Sequence, residues 1–332
     1  MPHNPNSSPQ NPLHWSAHNE KAGRWHMLLF LLLFKTLPAF FLSLMAFPIG
    51  FCYFLFSKKS RTQSQRFLKR WAAFAKTQTT DGKVPRLSAL QHIVAFALTL
   101  VEKTQAWGGR VPFERMRFHG EDVRQLWGGL EKGKGAVMLC SHLGNVELLR
   151  ALADARHIGV SKEVGFISVM DNVSPSFARL LHSLNPRSSL KILPTQNMGP
   201  ATIFALQEEI QNGGLVFVAA DRTSAQNPKH FFSLPFLGAN APFPHGPFLL
   251  AALLQAPVYA VFALRQKPLS PLPNYNLYIY RLHEGLQEGQ PELSRKQRYA
   301  LMHTWAQKYA ALLQSHLVQQ PYQWYNFYEF WE

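Results

Sequence analysis

The sequence predicts an α/β fold: a mixed, largely parallel sheet flanked by helices, preceded by an N-terminal membrane-anchoring helix or hairpin. Three observations predict it. Short apolar runs of strand length alternate with segments of helical periodicity over much of the chain. One stretch, Gly135 to Asp154 (GAVMLCSHLGNVELLRALAD), reads as a strand, a tight turn and a helix. Met27 to Phe56 is apolar over more than the roughly 20 residues that a bilayer core requires.

Taken in order, residues 1–26 are rich in Asn, Pro, Ser and His and read as a mobile tail. Met27–Phe56 is longer than a signal-peptide core and shows no small-residue cleavage site. Lys35, Pro38 and Pro48 interrupt it, so a kinked span and a shallow re-entrant hairpin both fit. A buried globular helix is the plain alternative. Lys58, Lys59, Arg61, Arg66, Lys69, Arg70 and Lys76 follow at once. A polybasic stretch beside a membrane segment belongs on the cytoplasmic side, against anionic lipid. Residues 57–332 are expected to form one domain on that face.

Within this domain, 84–106 is helical, 111–118 a strand and 120–132 an amphipathic helix. Strands are predicted at Val164–Met170, Leu190–Leu193, Leu215–Ala220, Val258–Leu264 and Leu277–Arg281, with helices at 174–184, 200–212, 247–255 and 294–319. Phe231–Pro247 (FFSLPFLGANAPFPHGP) reads as an apolar loop with turns at Gly238 and the prolines. It either lines a channel for a hydrocarbon chain or packs under the sheet. The end, PYQWYNFYEFW, is dense in aromatics and suits a core lid or an interfacial belt.

The balance of 34 Lys+Arg against 19 Asp+Glu, a formal charge of +15 over 332 residues, calls for an acidic partner. A hydrophobic content of 47% with 25 Phe is rich for a nucleic-acid binder and ordinary for a protein lying on a bilayer. There is no zinc-finger spacing, RNA-binding motif or basic recognition helix, so no nucleic-acid partner is expected. An anionic membrane surface is. The two cysteines, Cys52 and Cys140, sit in the apolar segment and the central strand; a pairing between them is not expected, which suits a reducing compartment.

The chemistry centres on the turn after the Gly135–Cys140 strand. Ser141, His142, Gly144 and Asn145 interrupt the apolar run, and Glu147 falls about one turn into the helix. On one unbroken helix, residues five apart point about 140° away from each other. With His142 held in the turn and Gly144 bending the backbone, Glu147 can accept a hydrogen bond from one ring nitrogen and leave the other as a base. The adjacent helix N-terminus favours a developing oxyanion, with the backbone N–H groups around Gly144 and Asn145 as donors. For an isolated H-x4-E, a solvated histidine and an ordinary first-turn glutamate are the commoner outcome.

Asp221-Arg222 follows the apolar run LVFVAA, at a second strand's carboxyl end. If the strands are parallel, both turns open on the same edge of the sheet. An arginine there can grip a phosphate or carboxylate, with Asp221 orienting it or holding a loop; a structural ion pair is the alternative. Asp171, Asn172 and Arg265 also end strands and each could line the same cleft. His245 suits a capping or surface position. G-x-S-x-G, G-x4-G-K-[ST], G-x-G-x-x-G and H-E-x-x-H are absent, and no cluster has metal-ligand spacing. No metal or cofactor is expected, and transfer onto a hydroxyl or amine remains.

The apolar N-terminal segment, SHLGNVE after one strand, ADR after another, LPFLG…P and the Gln-Trp-containing tail together resemble the late acyltransferases of lipid A biosynthesis, within the lysophospholipid acyltransferase superfamily. The resemblance runs from about residue 15 to the end. H-L-G-N-V-E matches the family's H-x4-D/E motif, which implies His142 as general base and Glu147 as the residue orienting it. It implies an acyl thioester donor (acyl carrier protein or coenzyme A), a membrane glycolipid or phospholipid acceptor, and the inner membrane. The chain departs from the pattern at Arg222, where the family commonly has Gln, and at Val146, where it often has Trp. It also lacks the superfamily's F-P-E-G-T-R-S block, whose place Asp221-Arg222-Thr223-Ser224 takes by order along the chain. These departures point to a divergent branch acting on another glycolipid or a polyene-type lipid. Two rivals stand beside this expectation: acylation of a lysophospholipid or glycerol phosphate, and a non-catalytic lipid-binding scaffold.

Overall fold

The computed structural model describes residues 32–153, 160–161, 164–170, 183, 190–195, 198–223, 229–285 and 293–331. The sequence expectations for 1–31, the 174–184 helix, Asp171, Asn172 and Ser224 fall outside these residues. After a short helical segment at 32–36, the described chain runs through three helices: α1 (Ala39–Phe56), α2 (Lys58–Thr77) and α3 (Ala89–Trp107). A sheet follows with its own helices: β1 (Met116–His119), α4 (Asp122–Glu131), β2 (Ala136–Cys140), β3 (Phe166–Met170), β4 (Leu190–Pro194), α5 (Pro200–Gln211) and β5 (Leu215–Ala219). After a hairpin of β6 (Phe231–Phe236) and β7 (Ala239–Pro244) come α6 (His245–Leu254), β8 (Val258–Arg265), β9 (Tyr275–His283) and α7 (Arg295–Gln319).

Among the described residues, seven strands form one sheet in the order β1-β9-β8-β2-β5-β3-β4. All the pairings are parallel except β8 with β9, so the sheet is mixed and largely parallel, as the alternating pattern predicts. Strands flanked on both faces must be apolar throughout. β2 (AVMLC) and β8 (VYAVFALR) are buried at every position. Alternate residues feed two cores, since successive side chains point to opposite faces. Val137, Leu139, Val216 and Val218 meet α2, α5, α6, α7 and the hairpin on one face. Ala136, Met138, Leu215 and Phe217 meet α4 and the segment after β2 on the other. Each fully buried aliphatic side chain contributes about 1.5–3 kcal/mol, so these two layers set the strand positions.

Phe231–Pro247 differs from its sequence expectation. It is not an open loop but the antiparallel β6–β7 hairpin leading into α6. Phe232, Leu234 and Phe236 point into the core while Phe231, Ser233 and Pro235 face out. The period-2 pattern was present, but Pro235, Pro242 and Pro244 masked it. All three sit in a short two-stranded ribbon, which tolerates a missing donor.

The helix α1 carries Pro48 inside it and has a mean hydropathy of 2.0, long and apolar enough to cross a membrane. Its buried residues are Leu42, Ser43, Ala46 and Gly50. That stripe lies along α3: a Cβ at Gly50 would stand 3.0 Å from the Val94 Cα, so the two backbones approach closely there. The other sides of α1 expose Phe41, Leu44, Ile49, Phe51, Leu55 and Phe56. A helix buried in a globular core would not leave these uncovered. The basic helix α2 starts after Ser57, whose hydroxyl caps it by accepting from the Ser60 N–H at 3.4 Å.

Candidate functional site

Register builds the site. β2 and β5 are parallel neighbours with Cys140 opposite Ala219. His142 and Asp221 each lie two residues beyond these partners, so they emerge side by side at the carboxyl edge of the sheet. The His142 ring Nδ1 stands 2.8 Å from Asp221 Oδ1, and the His142 backbone N–H donates to Oδ2 at 2.8 Å. The Trp324 indole N–H also donates to Oδ2, at 3.3 Å. Asp221 is wholly buried while the His142 side chain is 30% exposed.

These contacts fix the protonation states. Burial and the Arg222 guanidinium push the His142 imidazole down to about 4, against the opposing pull of Asp221. The ring is therefore neutral at pH 7. Its Nδ1 proton points at Asp221, and Nε2 is the nitrogen that presents a lone pair. Burial alone would raise the Asp221 carboxyl; His142, its hydrogen bonds and Arg222 outweigh that and hold it below the usual carboxylate range. Burial pushes the Cys140 thiol beneath them upward, so it is not a nucleophile at neutral pH.

Glu147 lies elsewhere than its spacing suggests. The carboxylate on Nδ1 belongs to Asp221, and Glu147 Oε2 accepts from the Trp107 indole N–H at 2.7 Å. The segment from Val146 to Ala153 is a 3₁₀ helix rather than an α-helix, started by the Asn145 side chain, which accepts from the Glu147 N–H at 3.2 Å. Trp107 ends α3, and Lys103, four residues earlier on the same face, is half-buried. Burial lowers the Lys103 ammonium, while Glu147, Cys140 and Asp221 act to keep its proton on. The sequence reading missed Lys103. Its only signal was a cation inside an apolar helical run, four residues before a tryptophan.

Gly144 is required by the turn. Its φ is +77°, and a Cβ there would stand 2.1 Å from the Ala263 carbonyl oxygen. The close approach is made by hydrogen bonds: Gly144 N–H donates to Gln323 O and Asn145 N–H to Ala263 O, both at 2.8 Å. Both N–H groups are thus engaged with protein carbonyls, and the expectation that they serve an oxyanion is not met in this arrangement.

The aromatic tail is the strap that closes the site. Leu143 bridges to Trp324 and the Tyr325 N–H reaches the His142 carbonyl at 3.3 Å. The Gln323 side chain bonds both backbone groups of Arg265 at 2.8 Å. Arg222 reaches the same strap: its Nε donates to Asn326 Oδ1 and its NH2 to the Tyr325 carbonyl, each at 2.9 Å, with the Tyr328 ring 5.6 Å away. His92 Nε2 stands 2.9 Å from the Trp324 carbonyl, and burial holds this ring down to about 4 as well. Arg265 serves the scaffold: it is ion-paired with Glu102 of α3 at 3.1 Å, both wholly buried. His245 opens α6, its N–H donating to the His230 carbonyl at 3.0 Å and its ring packed 4.0 Å from Phe232. Among the described residues no group of His, Cys, Asp and Glu could hold a metal ion, and neither cysteine is in a disulfide.

Residues 14–332 match the family described as bacterial lipid A biosynthesis acyltransferase. No curated protein matches the chain.

Proposed function

We propose a reaction for a chain that, by a match over nearly its whole length, belongs to the bacterial lipid A biosynthesis acyltransferase family and is an acyltransferase of lipid biosynthesis. A fatty acyl chain moves from a thioester of acyl carrier protein or coenzyme A to a hydroxyl of a glycolipid or related membrane lipid. The observation that carries this reading is the His142 ring, bonded at Nδ1 to the buried Asp221 and partly open on its other side.

His142 Nε2 takes the acceptor hydroxyl proton as the oxygen attacks the thioester carbonyl. Asp221 fixes the tautomer and steadies the imidazolium that forms. The tetrahedral intermediate collapses with loss of the thiolate, which recovers the proton from His142. Lys103, whose charged form Glu147 favours, supplies the positive charge facing the oxyanion, a role left open by the engaged Gly144 and Asn145 N–H groups. Glu147 is thus a positioning residue in this reading, one carboxylate removed from the base. Arg222 sets the tail against the site and reaches the donor's or acceptor's phosphate from its edge.

The membrane side of the proposal rests on α1 and α2. The exposed apolar faces of α1 anchor the protein in the inner membrane, and the start of α2 brings Lys58, Lys59 and Arg61 to the anionic cytoplasmic face, with residues 57–332 as the catalytic unit. The test is acyl transfer by the purified protein in detergent, with labelled acyl carrier protein and a total membrane lipid extract. A labelled lipid is expected from the wild type and, with His142→Ala, a loss of about 10²–10⁴-fold. Unchanged turnover in that variant overturns the mechanism.

A further inference from the structure

A cleft of about 830 Å³ lies between α2 and the C-terminal tail. Its volume is that of a small-molecule site. The residues of α2 that line it include Gln63, Arg66, Arg70, Phe74 and Thr77, spaced as one helical face about 21 Å long. The opposite wall is the tail, from Trp324 to Trp331.

Two features of this cleft point to a ligand with an anionic end and an apolar body. Arg66, Lys69 and Arg70 bring three cations against one lining carboxylate, Glu329. Gln63 Nε2 and Arg66 both donate to Glu329 Oε1, so these donors already converge on a carboxylate oxygen. A phosphate carries more charge and more acceptor oxygens than that carboxylate and can take the same donors. The Arg70 guanidinium stands 4.4 Å from the Trp331 ring centroid, which leaves its N–H edge for an anion. Beyond the cations the walls are apolar, with Phe67, Phe74, Leu237 and Trp331. The cleft also starts near the bilayer end of α2, which begins one residue after α1 ends.

We infer that this cleft binds a phosphate-bearing long-chain amphiphile, its phosphate held by Arg66 and Arg70 and its chain laid against Phe74 and Trp331. The tail makes the cleft and the site share a wall: Trp324 bonds Asp221, and Asn326 bonds Arg222. The inference draws on the proposed acyl transfer only for the ligand's role as a lipid substrate. Binding itself is measured without an acyl donor, so its failure and the failure of the catalytic reading are told apart.

The full-length protein in detergent is titrated with brominated-chain lysophosphatidate and, in parallel, with a brominated-chain monoacylglycerol. Tryptophan quenching is read as the difference between wild type and Trp331→Phe. Saturable quenching is expected, with lysophosphatidate bound about tenfold more tightly than the neutral lipid. That preference should shrink with added salt and vanish in the Arg66→Gln/Arg70→Gln double variant. Glu329→Gln, which removes the competing carboxylate, should tighten lysophosphatidate binding several-fold. Equal affinity for the two lipids, or no gain from Glu329→Gln, overturns the inference. Displacement of lysophosphatidate by inorganic phosphate at equal concentration overturns it too, since the site would then take the anion without the chain.

Discussion

Two carboxylates flank the same histidine turn, and they are held very differently. Asp221, after β5, is wholly buried and accepts three hydrogen bonds, from the His142 ring, the His142 backbone and Trp324. Glu147, in the 3₁₀ segment after β2, accepts from Trp107 and favours the charged form of Lys103. Glu147 is five residues from His142 in sequence, and Asp221 is 79. The one distant in sequence holds the ring because parallel register at β2 and β5 is rigid, whereas the turn at Gly144 directs the nearer one toward α3. Sheet register outranks sequence proximity here.

The comparison can be broken by exchanging the two charges. Asp221→Asn, which leaves the shape but loses the charge on the ring, should cost about 10²–10³-fold in kcat. Glu147→Gln should cost about 10-fold, through Lys103, and leave the Nδ1 contact intact. A larger loss in Glu147→Gln than in Asp221→Asn would return the orienting role to Glu147. A smaller effect is expected where the tail meets β8. Gln323→Leu strips both backbone bonds from Arg265 and should destabilise the protein by about 2–4 kcal/mol, read as a drop in denaturation midpoint.

The protonation states sharpen the contrast further. Arg222 is a cation beside His142 and lowers its pKa, so Arg222→Gln should move the acid limb of kcat/KM upward from about 4 toward the ordinary 6.5. No movement would mean that burial alone sets the ring. His92 offers a stability counterpart, since burial depresses it to about 4 in the folded state. A depressed histidine contributes fully above its unfolded value and loses that contribution as pH falls from 6.5 toward 4. The midpoint of thermal unfolding should decline across that window, with His92 contributing about 3 kcal/mol of the loss.

The sequence by itself determined the α/β class, every described strand of the sheet to within a few residues, the apolar helix and the histidine turn. These follow from local rules: an apolar run long enough for a strand, a glycine where φ must be positive, a basic stretch after an apolar one. It also placed His142 and Asp221 each at the end of a strand, and made their meeting conditional on parallel pairing. Only the tertiary structure decided that β2 and β5 are neighbours with Cys140 opposite Ala219, which is what pairs Asp221 with His142. It likewise decided that Trp107 takes Glu147 and that the Gly144 and Asn145 N–H groups are spent on carbonyls. Those outcomes depend on which element lies against which. Sequence periodicity fixes the face that an element buries and leaves open the neighbour that covers it.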